Sequence, residues 1–389
     1  MSLGDFMIYF DNAAGGKAYE EVCALMADIM LNSYGNPASV SVFGMQADEK
    51  LKWARGIFAG ILNCAPNEIF FTSGGTESDN WALLGTARAY KRSGNRIITS
   101  SVEHPAVLNT LDALKDEGFE VIKACTDERG YIEKSGLISA IDEKTTLVSL
   151  IHVNNETGTA NDIYEMGFLI KEKNPNTLFH IDAVQGFGKY RIDVKAAKCD
   201  MLSLSAHKFH GPRGVGVLYI KNGLKTFPII YGGGQQNGKR SGTENTAGAA
   251  GAALAAKMCY DKLDENFNRA MSVKKRLYNG IMSLVPNVFL NGEDIEAASP
   301  YVLNLSFPGL KSQVLMQALE QEGIIVSKGS ACGSRKISYS SVLKEMGLSA
   351  ERLDSAIRFS FSELNTIEEA DFAVSAVGRI VPVLRKYGR

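Results

Sequence analysis

Paired cysteines are missing from this chain. Its six, Cys23, Cys64, Cys125, Cys199, Cys259 and Cys332, are scattered with no CxxC spacing, which argues against a zinc ribbon, an iron–sulfur ligand set or a disulfide framework. Charge of one sign is missing too. The 42 Lys and Arg nearly cancel the 43 Asp and Glu, so neither nucleic acid nor an anionic membrane is indicated as a partner. Apolar runs break off within about ten residues, short of the ~20 a bilayer span needs, and no basic-then-apolar leader opens the sequence. A cytoplasmic protein is expected. Two nucleotide signatures are absent as well. SGGTE carries no P-loop lysine, and GPRGVG leads into a strand with its glycines in the reverse of the dinucleotide order.

What is present suits a two-lobed globular protein. The 389 residues are 45% hydrophobic and 22% charged, too many for one small core. EIFFTS, RIITSS, EVIKAC, TTLVSLIHV, TLFHID, DMLSLSAHK and VGVLYI read as short strands separated by helical patterns. That alternation predicts an α/β fold with a large, doubly wound, mostly parallel sheet. After GAAGAALAAKM the pattern changes to a long charged helix and then to VLNLSFPG, GIIVS and AIRFSFS mixed with helices, which predicts a smaller α+β domain. The expected division is 14–255 for the large domain and 1–13 plus 256–389 for the small one.

Three segments carry chemistry. EIFFTSGGTESDN is strand, glycine turn and helix start, leaving the amides of Gly75 and Thr76 free to hold an anion; a tight turn with a threonine cap is the competing reading. TLFHIDAVQ ends a strand on Asp182 with Gln185 just beyond, where ligands of open α/β sheets gather, although Asp182 also suits a helix cap. In DMLSLSAHKFHG, Ser205, His207 and Lys208 leave another strand together, and a lysine there is poorly explained as a solvated charge. A phosphate cradle, a strand-end acid and a strand-end lysine are together the set that pyridoxal 5'-phosphate requires: donors for its phosphate, an acid for its ring nitrogen and an amine for the Schiff base.

FTSGGTESDN, EHPAV, HVNNETG, HIDAVQ, SAHKFHGPRGVG, GGGQQNGKRSGTEN, GSAC and IRFS follow one another over nearly the whole chain. In this the sequence resembles the cysteine desulfurases, fold-type I, class V aminotransferase-like pyridoxal phosphate enzymes. The resemblance implies that Lys208 carries the cofactor and moves the Cα proton, that Asp182 faces the pyridine nitrogen and Gln185 the ring hydroxyl. It implies a phosphate site of Gly75, Thr76, Ser205 and His207, completed by Thr243 from the other subunit of a homodimer. It places His104 on the ring, where it takes part in proton transfer, Asn155 near the ring oxygen and the substrate, and Arg358 on the substrate carboxylate. Cys332, in KGSACGSRK, would attack the sulfur of L-cysteine, leave L-alanine and hold a persulfide for an acceptor protein or small thiol serving iron–sulfur cluster assembly or thio-modification. Its neighbours Lys328, Arg335 and Lys336 favour the thiolate.

Selenocysteine lyase, cysteine sulfinate desulfinase and other class V reactions are the alternatives on the same scaffold. The loop departs from the family pattern, since SKGSACGSRKISYSS lacks the acidic-proline element and is basic, and the chain stops at VLRKYGR without the longer tail of housekeeping members. The acceptor is therefore left open. No metal is expected. The remaining five cysteines read as small core hydrophobes, His152 and His180 as satisfied core histidines, and His210 as a turn residue. For Arg213 and Arg240, structural ion pairing and ligand contact stand level.

Overall fold

The computed structural model describes residues 7–328 and 339–387. Seven strands form the large sheet: β2 (Ile69–Thr72), β3 (Arg96–Ser100), β4 (Glu120–Ala124), β5 (Thr145–Ile151), β6 (Leu178–Asp182), β7 (Met201–Ser205) and β8 (Gly216–Ile220), after a two-residue β1 (Ile8–Tyr9). Their order is β2-β8-β7-β6-β5-β3-β4. Only β8 runs against its neighbours, so the carboxyl ends of the other six gather at one edge. β5, β6 and β7 are buried along their length except at Leu178. Sheets covered on both faces favour such continuous apolar runs over alternation.

Helices Val42–Leu62, Ile163–Lys173 and Thr246–Asp261 pack one face of the sheet through Leu51, Phe58, Ile170 and Ala253. The helical stretch from Gly75 to Tyr90 and helix Pro105–Asp116 pack the other through Trp81, Leu83, Val107 and Leu111. That stretch loosens into a π turn at Trp81–Gly85, where a Cβ on Gly85 would sit 2.5 Å from the Phe227 carbonyl oxygen. Glycine is what lets the helix pass so close to the following loop.

The second lobe holds a three-stranded antiparallel sheet of β9 (Phe289–Leu290), β10 (Val302–Ser306) and β12 (Ala356–Ser360). β11 (Ile324–Ile325) pairs instead with β1. Ile8 and Phe10 enter this lobe's core with Val273, Leu277 and Ile281 of helix Leu263–Leu284. Residue 256, the expected boundary, falls inside helix Thr246–Asp261, whose Cys259 still belongs to the large core. The helix breaks at Lys262, and the next one carries the chain across.

Among the described residues no helix is long and apolar enough to cross a membrane, and no His, Cys, Asp and Glu cluster could hold a metal. Two cysteines correct the sequence reading. Cys23 and Cys125 are exposed, whereas Cys199 and Cys259 are buried. Helix Glu20–Asn32 buries Val22 and Ile29, and Cys23, one position round from Val22, faces out.

Candidate active site

The strand ends converge on a cavity of about 470 Å³ lined by Gly75, Thr76, His104, Asn155, Asp182, Gln185, Ser205, His207, Lys208 and Arg358, with Arg213 beside them. Ten residues singled out in the sequence thus come together. Two do not. Thr243 is exposed and lies outside this chain's cavity, and Cys332 lies outside the described residues, with Arg335 and Lys336.

The phosphate end is built from backbone. β2 stops at Thr72 and a helix starts at Gly75, so its first amides have no partner within the helix. A Cβ on Gly75 would sit 2.6 Å from Val184 Cγ2, so only glycine allows this turn to close against the strand end of β6. Ser205 Oγ and His207 Nδ1 lie 3.0 Å apart. Burial, with Lys208 and Arg213 nearby, pushes the His207 imidazole down to about 4, so it is neutral near pH 7. If the serine hydroxyl donates to Nδ1, His207 Nε2 carries its proton and can donate to an oxyanion.

Asp182 lines the same cavity, buried at the tip of β6, with the Val184 amide donating to its Oδ1 at 2.9 Å. Burial raises its carboxyl pKa, against the pull of His104, the Val184 amide and Lys208. Asp79 and Glu103 are buried nearby and shifted the same way, Glu103 to about 8, chiefly by burial. Asp79 Oδ1 has no hydrogen-bond partner. A cavity lined by the buried carboxyls of Asp182 and Asp79 and by the first amides of a helix fits a ligand with a protonatable ring nitrogen and a phosphate.

Lys208 and Gln185 line the cavity as well. Lys208 Nζ donates to the Ala13 and Ala14 carbonyls at 2.5 and 3.0 Å, and Gln185 Nε2 donates to the Ala13 carbonyl at 2.9 Å. The DNAA stretch thus forms part of the cavity floor, which strand and helix patterning could not reveal. His104 caps helix Pro105–Asp116 by accepting from the Ala106 amide at Nδ1, 3.1 Å away, which leaves the proton on Nε2. Burial lowers its pKa, with Asp182 opposing and Lys208 assisting.

Arg358 reaches in from β12. Its Nη2 donates to Asp11 Oδ1 at 2.7 Å and its Nη1 to the Asn155 carbonyl at 2.9 Å, while the buried Nε has no partner among the described residues. The structural ion pair and an unfilled donor coexist in one guanidinium. Arg240 resolves as structural, forked onto Glu77 at 2.9 and 3.2 Å. Together with the Gln236 amide, which pairs both the N–H and the C=O of Phe71 at 2.7 Å, it fastens the loop leading to Thr243 onto β2. His180 is satisfied between Ser149 and Ser203, each at 2.9 Å. His152 is not: Nδ1 is unpaired, and burial pushes the ring down to about 4. It is pressed over Gly186, where a Cβ would lie 2.2 Å from that nitrogen.

The aminotransferase class-V family model matches residues 8–372. The chain is 41% identical to the cysteine desulfurase IscS of Clostridium botulinum over 97% of its own length and 95% of that protein's. It is 39% identical to the cysteine desulfurase IscS of Methanosarcina thermophila, over 97% and 93% of the two chains. Among solved structures, a NifS-like protein superposes with a TM-score of 0.92 at 36% identity, covering 97% of this chain and 100% of the other. SspA in complex with cysteine superposes with a TM-score of 0.79 at 31% identity, over 91% and 98%.

Proposed function

The chain belongs to the aminotransferase class-V family and, within it, to the pyridoxal phosphate-dependent cysteine desulfurases, and on that premise we propose that it converts L-cysteine to L-alanine and loads the released sulfur on Cys332. The observation that carries the proposal is the convergence of Lys208, Asp182 and the Gly75–Thr76 amides on one cavity, also lined by the buried Arg358, whose Nε has no partner among the described residues. When bound, pyridoxal phosphate draws electrons from the substrate Cα and so weakens the Cβ–S bond.

Each residue of the chain then has a task. Gly75, Thr76, Ser205 and His207 hold the phosphate, Asp182 keeps the ring nitrogen protonated, and Gln185 donates to the ring hydroxyl. Lys208 carries the cofactor and moves the Cα proton, with His104 over the ring and Asn155 beside it. Arg358, steadied by Asp11, grips the substrate carboxylate. The Cys332 thiolate attacks the substrate sulfur: an S–S bond forms, the Cβ–S bond breaks, and its electrons stay on carbon, which takes up protons to become alanine. A second thiol, on an acceptor protein or a small molecule, removes the terminal sulfur by exchange.

The working unit is a homodimer in which Thr243 completes the partner's phosphate site. Its support is the exposure of Thr243 and an apolar surface, with Leu31 73%, Tyr34 67%, Val40 97% and Val42 69% exposed, more than a monomer leaves to water without a use. Light scattering at twice the chain mass is expected, and a monomeric mass would refute it. For the reaction, incubation with L-cysteine should give alanine and a Cys332 peptide heavier by one sulfur atom. Cys332→Ala should lose both; if alanine and sulfide form undiminished, sulfur capture by Cys332 is wrong.

A further inference from the structure

Lys189 is buried beside the cofactor cavity and is no part of the machinery above. Gly188, at φ 76° and with its missing Cβ position 2.7 Å from Phe209 Cβ, turns the chain so that Lys189 points inward. Nζ donates to Gln185 Oε1 at 3.0 Å and lies 5.3 Å from the centre of the Tyr301 ring. Gln185 is its one side-chain hydrogen-bond partner among the described residues. Burying an amine is costly, and a methionine would fill the same space more cheaply, so the position calls for a reason beyond packing.

The hydrogen-bond pattern supplies one. An amide can present either edge, but an ammonium only donates, so Gln185 must turn its oxygen to Lys189 and its nitrogen the other way. One hydrogen of Nε2 goes to the Ala13 carbonyl, the same oxygen that receives Lys208, and the second is left for a ligand. We infer that Lys189 is a positioning residue that locks the Gln185 amide with its N–H toward the cofactor's ring oxygen, and thereby lowers the proton affinity of the Lys208–cofactor linkage. The inference rests on the pyridoxal phosphate site argued above. An N–H on the ring oxygenate withdraws the electron density that would otherwise hold the linkage proton. The charges facing Lys189 are Lys208 and Arg358, which with burial push it down to about 7, and Glu363 and Cys259, which oppose them. Below that range the group is an ammonium, which only donates to Oε1.

The test is a pH titration of the visible absorption of the cofactor-loaded protein, read without substrate. Lys189→Met should move the midpoint up by about 0.5–1 pH unit, the scale of one lost hydrogen bond and charge near a titrating group, and Lys189→Arg should restore it. On a Gln185→Met background, Lys189→Met should add nothing, because the amide it acts through is gone. Should Lys189→Met not fold, Lys189→Gln, which carries no charge and can turn either edge of its amide to Gln185, should move the midpoint up in the same direction. A Lys189→Met midpoint equal to the unmodified protein's overturns the inference, as does a shift that persists undiminished without Gln185, or a Lys189→Gln midpoint equal to the unmodified protein's. Absence of cofactor absorption in the unmodified protein would instead remove the cofactor site, and this inference with it.

Discussion

The two walls of the cavity are made differently. The large-sheet wall is the meeting of five strand ends, and its groups are placed largely by backbone: free amides at Gly75, a capped His104, an Asp182 held by the amide of Val184. Among the described residues the small-lobe wall contributes a single charge, Arg358, from the middle of an antiparallel strand, placed by side-chain pairing with Asp11. A parallel sheet brings many chain segments to one edge because every crossover returns to the same side. An antiparallel sheet sends its turns to both edges and offers fewer groups at each. One wall therefore suits a resident cofactor, and the other suits a substrate that must come and go.

Substitutions at each wall test that difference. Lys208→Ala, on the cofactor wall, should cut alanine formation from L-cysteine by roughly 10³-fold or more, the scale of a lost proton-transfer group and covalent anchor; a loss below tenfold would break the assignment of that wall. Arg358→Ala, on the substrate wall, should raise KM by roughly 30-fold or more, since removing one member of a buried charge pair costs about 2–5 kcal/mol. It should leave the cofactor absorption in place while lowering Tm, because Asp11 loses its partner. A fall in kcat with KM unchanged would count against carboxylate binding there.

The smallest effect lies behind the cofactor wall. The Glu103 carboxyl is raised to about 8 by burial, so the folded protein keeps a proton that the unfolded chain has already released above the ordinary carboxylate range. Its contribution to stability is full at acid pH and is lost as pH rises toward 8, at roughly 1.4 kcal/mol per pH unit for one proton. Glu103→Gln should flatten the fall of stability between pH 5 and 8 in chemical denaturation. Parallel curves for the two proteins would show that Glu103 is ionised in the folded state.

The site was legible where backbone and residue type carry the chemistry together. SGGTE, HIDAVQ and SAHK each sit at the end of an apolar strand run, and a strand end is visible in a sequence because the run stops. What pairs across the fold was not legible. Asp11 on Arg358 and the Ala13 carbonyl under Lys208 join positions 347 and 195 residues apart, and periodicity carries no information about such pairs. The small lobe was harder still: β9 and β11 have two residues each, too short for a period to show.

The sequence by itself determined the α/β class, the strand ends and the residue types suited to a phosphate and a ring nitrogen, because alternation of apolar runs and turns is a local property of the chain. Only the tertiary structure decided which donors remain free. Whether Arg358 keeps an unpaired Nε, which edge Gln185 presents and whether His152 is satisfied depend on partners that burial selects in three dimensions. In a low-dielectric interior those partners set the charge and the orientation of every group in the site.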